Sequence, residues 1–402
     1  MDQPTYDAIV VGMGGMGSAT AWQLAKRGAR VLGLEQFEPG HDRGASHGDT
    51  RLIRKGYFEH PDYVPLLHRA YQLWDELEAK SGYDLFHRTG LILAGNPATS
   101  QVIAGVKKAA REHRLDIDEL SLAQARELFP QFQFNDDWQI LFEKDAGFLR
   151  VEACVNAHVE LAIKNGAKIL YNTKVNGWKA SVNDSGHGPV TVQTSAGEFR
   201  CERLIVTSGP WAPKILNSLG LNLSLRRVVQ HWFSAPSNLN ENAGMPCFGF
   251  DTSDGFFYGM PAQGGMGLKA ASHSHGSPFS DADQLDRSEA DPDLSHLQGF
   301  LGRHLKGMTQ AQSIRAKPCI YTMSADEHFI IDAWPLGASG GAGAPGALAS
   351  SAKSQQIFFA AGFSGHGFKF ASVVGELLTD LALAGAARVP FGFLQMRPGI
   401  QK

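Results

Sequence analysis

The sequence predicts an α/β fold in which a parallel-sheet domain is interleaved with an antiparallel-sheet one. Residues 9–35 read as strand, glycine turn, helix and strand. The last third returns to that style, with apolar strands and an apolar helix. Between them, about 216–324, aromatics, glycines and polar residues alternate.

The first unit is the most specific. Ile9-Val10-Val11 enters the G-x-G-x-x-G turn Gly12-Met13-Gly14-Gly15-Met16-Gly17. Residues 18–27, SATAWQLAKR, follow as a helix stopped at Gly28, and the apolar run 31–34 ends at Glu35. Gly12 permits the tight turn, Gly14 lets a pyrophosphate approach the backbone, and Gly17 lets the helix pack close to the strand. The helix N-terminus offers free N–H groups and partial positive charge to the phosphates. Glu35 can accept hydrogen bonds from ribose hydroxyls. The unit predicts dinucleotide binding, and the motif alone does not separate FAD from NAD, since both bind through ribose and pyrophosphate.

Further along, Leu66, Ala70, Leu73, Trp74 and Leu77 set a helix over 61–80, with Gly82 as its stop. Amphipathic runs near 98–113 and 121–129 and a helix over 151–165, closed by Gly166, come next. Short strands are expected at 168–171, 190–193 and 203–207. In the middle region, Gly255-Phe256-Phe257-Tyr258-Gly259 suits antiparallel strands and a pocket wall. Residues 329–332 and 357–361 read as buried strands and 371–384 as an apolar helix. The expected division is a discontinuous nucleotide domain, 1–85, 147–215 and 325–390, and a substrate domain, 86–146 and 216–324. Residues 336–354, rich in Gly, Ala and Ser, read as a flexible surface insertion.

Composition narrows the function classes. The 402 residues are 43% hydrophobic and 19% charged, ordinary for a globular protein. A net charge of −3 gives no reason to expect nucleic acid or an acidic membrane surface as partner. No apolar stretch is long enough to span a bilayer, and the polar start MDQPTYD does not read as a secretory signal. Cys154, Cys201, Cys247 and Cys319 are far apart and form no C-x-x-C pair, which argues against disulfides and zinc in a cytoplasmic chain.

Several fragments could carry chemistry. In His47-Gly48-Asp49-Thr50-Arg51-Leu52-Ile53-Arg54, the two arginines three apart would share a helix face and place two cations near one anionic spot. Lys269 follows a glycine-rich hairpin, where a surface lysine is the ordinary expectation, and a lone Cys319 ordinarily reads as a buried small hydrophobe. Residues 362–370, GFSGHGFKF, form a second glycine-rich loop between an apolar strand and helix. Its N–H groups and Lys369 can face an electron-rich ligand edge.

Taken together, these fragments resemble the monomeric sarcosine oxidase family, flavoprotein amine oxidases that include N-methyltryptophan oxidase and L-pipecolate oxidase. The resemblance runs over about residues 5–390. It rests on VVGMGGMGSATAWQLAKRG, HGDTRLIR, DYVPL, LIVTSGPWA, FYGMP, GLK, CIYT, DEHFIID and GFSGHGFKF. It implies a glutathione-reductase-type FAD domain and FAD joined through a thioether between Cys319 and the flavin 8α carbon. Arg54 and Lys369 would bind the substrate carboxylate, with Tyr321 in the pocket. Lys269 would stand where oxygen is reduced, with Arg51, His273 and Tyr258 as further catalytic residues. His47, Thr50, Val175, Gly365, His366 and Gly367 would complete the cofactor site.

The implied reaction moves hydride from a C–H beside nitrogen to flavin, reduces O₂ to peroxide and leaves an imine that hydrolyses to aldehyde and amino acid. A positioned carboxylate clamp and a preorganised cation suit those steps. A monomer acting on a small N-methyl or cyclic amino acid in the cytoplasm is expected. L-Pipecolate or N-methyltryptophan oxidation, or an FAD-dependent dehydrogenase, is the alternative. The sequence also departs from the family. Ala45-Ser46-His47 stands where Ser-His-His is common, and 243–257 matches loosely.

Overall fold

The structure is a computed structural model that describes residues 5–180, 188–334 and 356–401. The 336–354 insertion lies outside the described residues.

Among the described residues, the first sheet has eight strands. Thr5–Val11 lies at its centre, parallel to Val31–Leu34 on one side and to Gly197–Val206 on the other. The long strand Gly197–Val206 is shared along its other edge. Its first half pairs antiparallel with Val190–Thr194, and its second half pairs parallel with Ile357–Ala361. Continuous apolar runs such as IVV and IFFAA belong in such a sheet because helices or a second apolar layer bury both faces.

The helix Gly15–Lys26 packs between Val151–Lys164 and Ala371–Ala384. Its approach to the last helix needs a glycine: a Cβ on Gly375 would stand 2.6 Å from the Ala19 backbone. The helix 371–384 is buried along almost its full length, including Glu376 and Asp380. Those carboxylates are paired with Arg69, Arg388 and Arg27, which is what allows acids inside.

The second sheet carries Ser224–Phe233, flanked by Ser313–Met323 and Leu268–Ser272, and continues through Gly255–Met260 and Cys247–Thr252. It is mixed rather than wholly antiparallel, because Cys247–Thr252 runs parallel to Leu91–Gly95. Phe248, Phe250, Phe257 and Phe300 fill the core beneath it.

A small third sheet joins Thr50–Ile53, Gly147–Arg150 and Phe86–His87. Here the structure corrects the sequence reading. Arg51 and Arg54 do not share a helix face; Arg51 lies within an extended strand and Arg54 just beyond it. Arg51 turns to Gln230 and Cys319 and Arg54 to Glu59, so the arginines serve different ends of the site. Further strands appear where none was expected, among them Leu91–Gly95, Gln139–Glu143, Gly147–Arg150 and Val175–Ala180. Among the described residues no helix is long and apolar enough to cross a membrane, and no metal-ligand cluster occurs. All four cysteines are free and buried.

Candidate active site

The glycine turn closes as its spacing predicts. Gly12 has φ +87°, and a Cβ there would meet the Thr207 carbonyl oxygen at 2.5 Å. A Cβ on Gly17 would stand 1.7 Å from the Gly12 oxygen, so helix and strand touch backbone to backbone. Gly14 faces Ser46, whose hydroxyl accepts from Gly15 N at 2.9 Å. Glu35 is buried, accepting from Met13 N at 2.9 Å and Phe37 N at 3.1 Å. Burial opposes its ionisation, but His41 and those amides outweigh it and hold the carboxyl below its ordinary range.

A cavity of about 1180 Å³ runs from Gly12, Gly14 and Glu35, past Val175 and Cys319, to Arg54, His273 and Lys369. A glycine cradle at a helix N-terminus, a buried acceptor for hydroxyls and a long connected cleft fit a bound dinucleotide such as FAD.

Cys319 sits on the strand Ser313–Met323 and points at Arg51. The guanidinium donates to the Cys319 sulfur at 3.3 Å, to Ala45 O at 3.1 Å and to Gln230 Oε1 at 3.1 Å. Gly365, at φ +80°, lies against the Tyr321 ring, where a Cβ would come to 2.3 Å. His366 donates from Nε2 to Glu327 O at 3.0 Å. A carbonyl can only accept, so Nδ1 is the bare nitrogen and takes the Tyr57 hydroxyl hydrogen. Burial pushes His366 down to about 3, which keeps it neutral.

The cations at the far end gather round one ring. The Arg54 guanidinium lies 4.4 Å from the Tyr57 ring and 4.4 Å from that of Phe58. Lys369 Nζ lies 5.3 Å from the same Tyr57 ring and donates to His366 O at 2.7 Å. Burial, then Arg54, lower Lys369 to about 7. Glu59 is the one carboxylate among them. Burial works against its charge, yet Arg54, His366 and Lys369 bring it down to about 2. His273 Nδ1 meets the Tyr321 hydroxyl at 3.3 Å, and burial lowers its pKa to about 4. Tyr258 lines the same wall.

Four expected residues stand off the main cavity wall. Gly17 packs behind the turn. His47 is 2% exposed, has no partner at either ring nitrogen and borders a separate cavity of about 230 Å³ with Asp42, Arg315 and Lys317. Burial, then Arg51, push it down to about 3. Thr50 is buried and offers its carbonyl to Lys269. Lys269, expected at the surface from its hairpin, is 2% exposed and lies 5.1 Å from the Trp232 ring. Burial and Arg51 lower its pKa well below that of a free lysine. Glu59, Tyr57 and Phe58 were not singled out by the sequence. An acid five residues after Arg54 has no spacing signature, and only the fold turns it back onto the guanidinium.

Comparison with known proteins shows the family. The profile of the DAO family, FAD dependent oxidoreductase, matches residues 7–381. The chain is 37% identical over 385 residues to a monomeric sarcosine oxidase of Bacillus sp. (strain B-0618), covering 94% of this chain and 93% of that one. It is 34% identical over 387 residues to an N-methyl-L-tryptophan oxidase of Citrobacter koseri, covering 94% of each. Among solved structures, NikD, an unusual amino acid oxidase essential for nikkomycin biosynthesis, superposes with a TM-score of 0.79 over 98% of each chain at 20% identity, a likeness of fold. The protein therefore belongs to the DAO family of FAD-dependent oxidoreductases.

Proposed function

We propose that the protein is an oxidase of small secondary amino acids, sarcosine-like in its chemistry. The observation that carries this reading is the pair of buried cations, Arg54 and Lys369, on one aromatic ring with one carboxylate between them. The surplus positive charge suits a substrate carboxylate. His273 stays neutral and close to Tyr321, which suits a pocket that takes an uncharged amine.

Held in the cradle of Gly12, Gly14 and Glu35, FAD would supply the two-electron redox chemistry that links oxidation of the C–H beside nitrogen to reduction of O₂. Arg54 and Lys369 orient the substrate by its carboxylate, a positioning effect large enough to matter for rate. Tyr258 and Tyr321 wall the pocket against water. Arg51 holds Cys319 at the cleft, and Cys319 is the residue we assign to the covalent thioether. Glu35 takes the ribose, with Gly12, Gly14, Gly17, Val175, Gly365, His366 and Gly367 shaping the cradle. His47, Thr50 and Lys269 stand behind the oxygen side. For sarcosine the balance is sarcosine, O₂ and water giving glycine, formaldehyde and H₂O₂.

In this reading the residues 1–85, 147–215 and 325–390 bind FAD, 86–146 and 216–324 shape the substrate side, and the chain works as a cytoplasmic monomer. Purified protein in air with excess sarcosine should release peroxide in step with formaldehyde. Substrate-dependent bleaching of the flavin without peroxide would favour a dehydrogenase. A flavin inert to sarcosine, pipecolate and N-methyltryptophan would overturn the reading.

A further inference from the structure

Lys269 does not hang free in the site. Its ammonium donates to Gly48 O at 2.5 Å and Thr50 O at 2.7 Å. Those carbonyls belong to an unusual turn. Gly48 has φ +91° and Asp49, which is not a glycine, has φ +64°. Thr50 N donates back to Gly48 O at 2.7 Å, so Asp49 is the centre of a three-residue turn of the rare, strained kind. Such a conformation persists only where its surroundings over-determine it.

The surroundings do so chiefly through one side chain. Glu152, in the first turn of the helix Val151–Lys164, accepts from Gly48 N at 2.7 Å and from Asp49 N at 3.1 Å. Two successive amides of a left-handed pair make a concavity suited to an anion. Val151 N donates to Asp49 O at 2.8 Å, and Arg315 ties the Asp49 carboxylate at 2.8 Å. The Asp49 and Glu152 carboxylates also oppose the lowering of the Lys269 pKa by burial and Arg51.

We propose that Glu152 is a positioning residue for the oxygen half of the reaction: its carboxylate fixes the turn at Gly48-Asp49, and the turn's carbonyls fix Lys269. This rests on the role of Lys269 proposed above. In that half, O₂ takes up two electrons from the reduced cofactor and two protons to leave as peroxide. A fixed cation beside it stabilises the charge that develops on oxygen. The substrate clamp of Arg54 and Lys369 shares no hydrogen bond with this turn.

The test uses FAD-loaded enzyme reduced anaerobically with dithionite, so that no amino acid is needed, then mixed with oxygenated buffer. Glu152→Ala should slow reoxidation roughly tenfold or more, the usual cost of a misplaced group. Glu152→Gln, which keeps the shape and an acceptor oxygen, should recover most of that rate. Reduction by substrate should fall far less than reoxidation. Hydrogen exchange in the segment 46–53 should quicken in the alanine variant and not in Lys269→Met. Reoxidation of Glu152→Ala at the wild-type rate, with Lys269→Met slow, overturns the inference alone. Lys269→Met at the wild-type rate removes the role of Lys269 and the inference with it. Equal losses in both half-reactions for Glu152→Ala and Glu152→Gln also overturn it, since that is general damage.

Discussion

Arg54 and Glu59 form a two-pronged ion pair, both carboxylate oxygens lying 2.9 Å from the same guanidinium nitrogen. A substrate carboxylate that uses Arg54 must compete with Glu59 for it.

Glu59→Gln should therefore tighten binding of simple carboxylate ligands about tenfold, the scale of one hydrogen bond to a charged group. Titration of the flavin absorbance with acetate reads the dissociation constant. Unchanged or weaker binding would mean that Glu59 helps to hold the clamp rather than competing for it.

Lys369 sets a pH dependence. Burial and Arg54 bring it down to about 7, so its ammonium is present below that pH and is lost as pH rises through it. A bound anion holds the proton on more tightly than water does. Acetate affinity should accordingly be highest on the acid side and decline above neutrality, and Lys369→Met should remove the decline. A flat wild-type profile from about pH 6 to 9, where a free lysine stays charged, would refute the shift.

Cys319 gives a direct readout. Acid-precipitated wild-type protein should stay yellow, and Cys319→Ala should release its flavin into the supernatant. Flavin washing off the wild-type pellet would end the thioether assignment.

Gly365→Ala should cost stability as well as cofactor. The added carbon would stand 2.3 Å from the Tyr321 ring at a φ of +80°. Backbone strain together with overpacking is worth about 2 kcal/mol or more. Thermal unfolding measures it, and an unchanged midpoint would show that the loop yields freely.

Much of this was legible in the chain. The first unit could be read because hydrophobic periodicity, glycine placement and Glu35 all point the same way. The helix 371–384 was readable from its uninterrupted apolar pattern and is found over those same residues. The arginines misled: R-L-I-R fits a helical spacing, but Thr50–Ile53 pairs with Gly147–Arg150, and tertiary pairing overrode the local pattern. The strand Val175–Ala180 went unseen because VNGWKA carries Asn, Gly and Lys among its six residues and has no buried position. Lys269 read as a surface residue because nothing local reveals that two carbonyls some 220 positions away would receive it. Glu152 is hidden for the same reason, meeting Gly48 across 104 positions.

The strand Ile357–Ala361 completes the central sheet beside Gly197–Val206, and the loop that follows it carries His366 and Lys369. On a ribosome, the first strand, turn and helix emerge hundreds of residues before that partner. The nascent chain must then wait with one flank of its central sheet open, a long-range closure of the slow kind. Cofactor capture should thus be a late event in synthesis, and messages truncated before codon 370 should yield colourless, protease-sensitive protein rather than a weak enzyme.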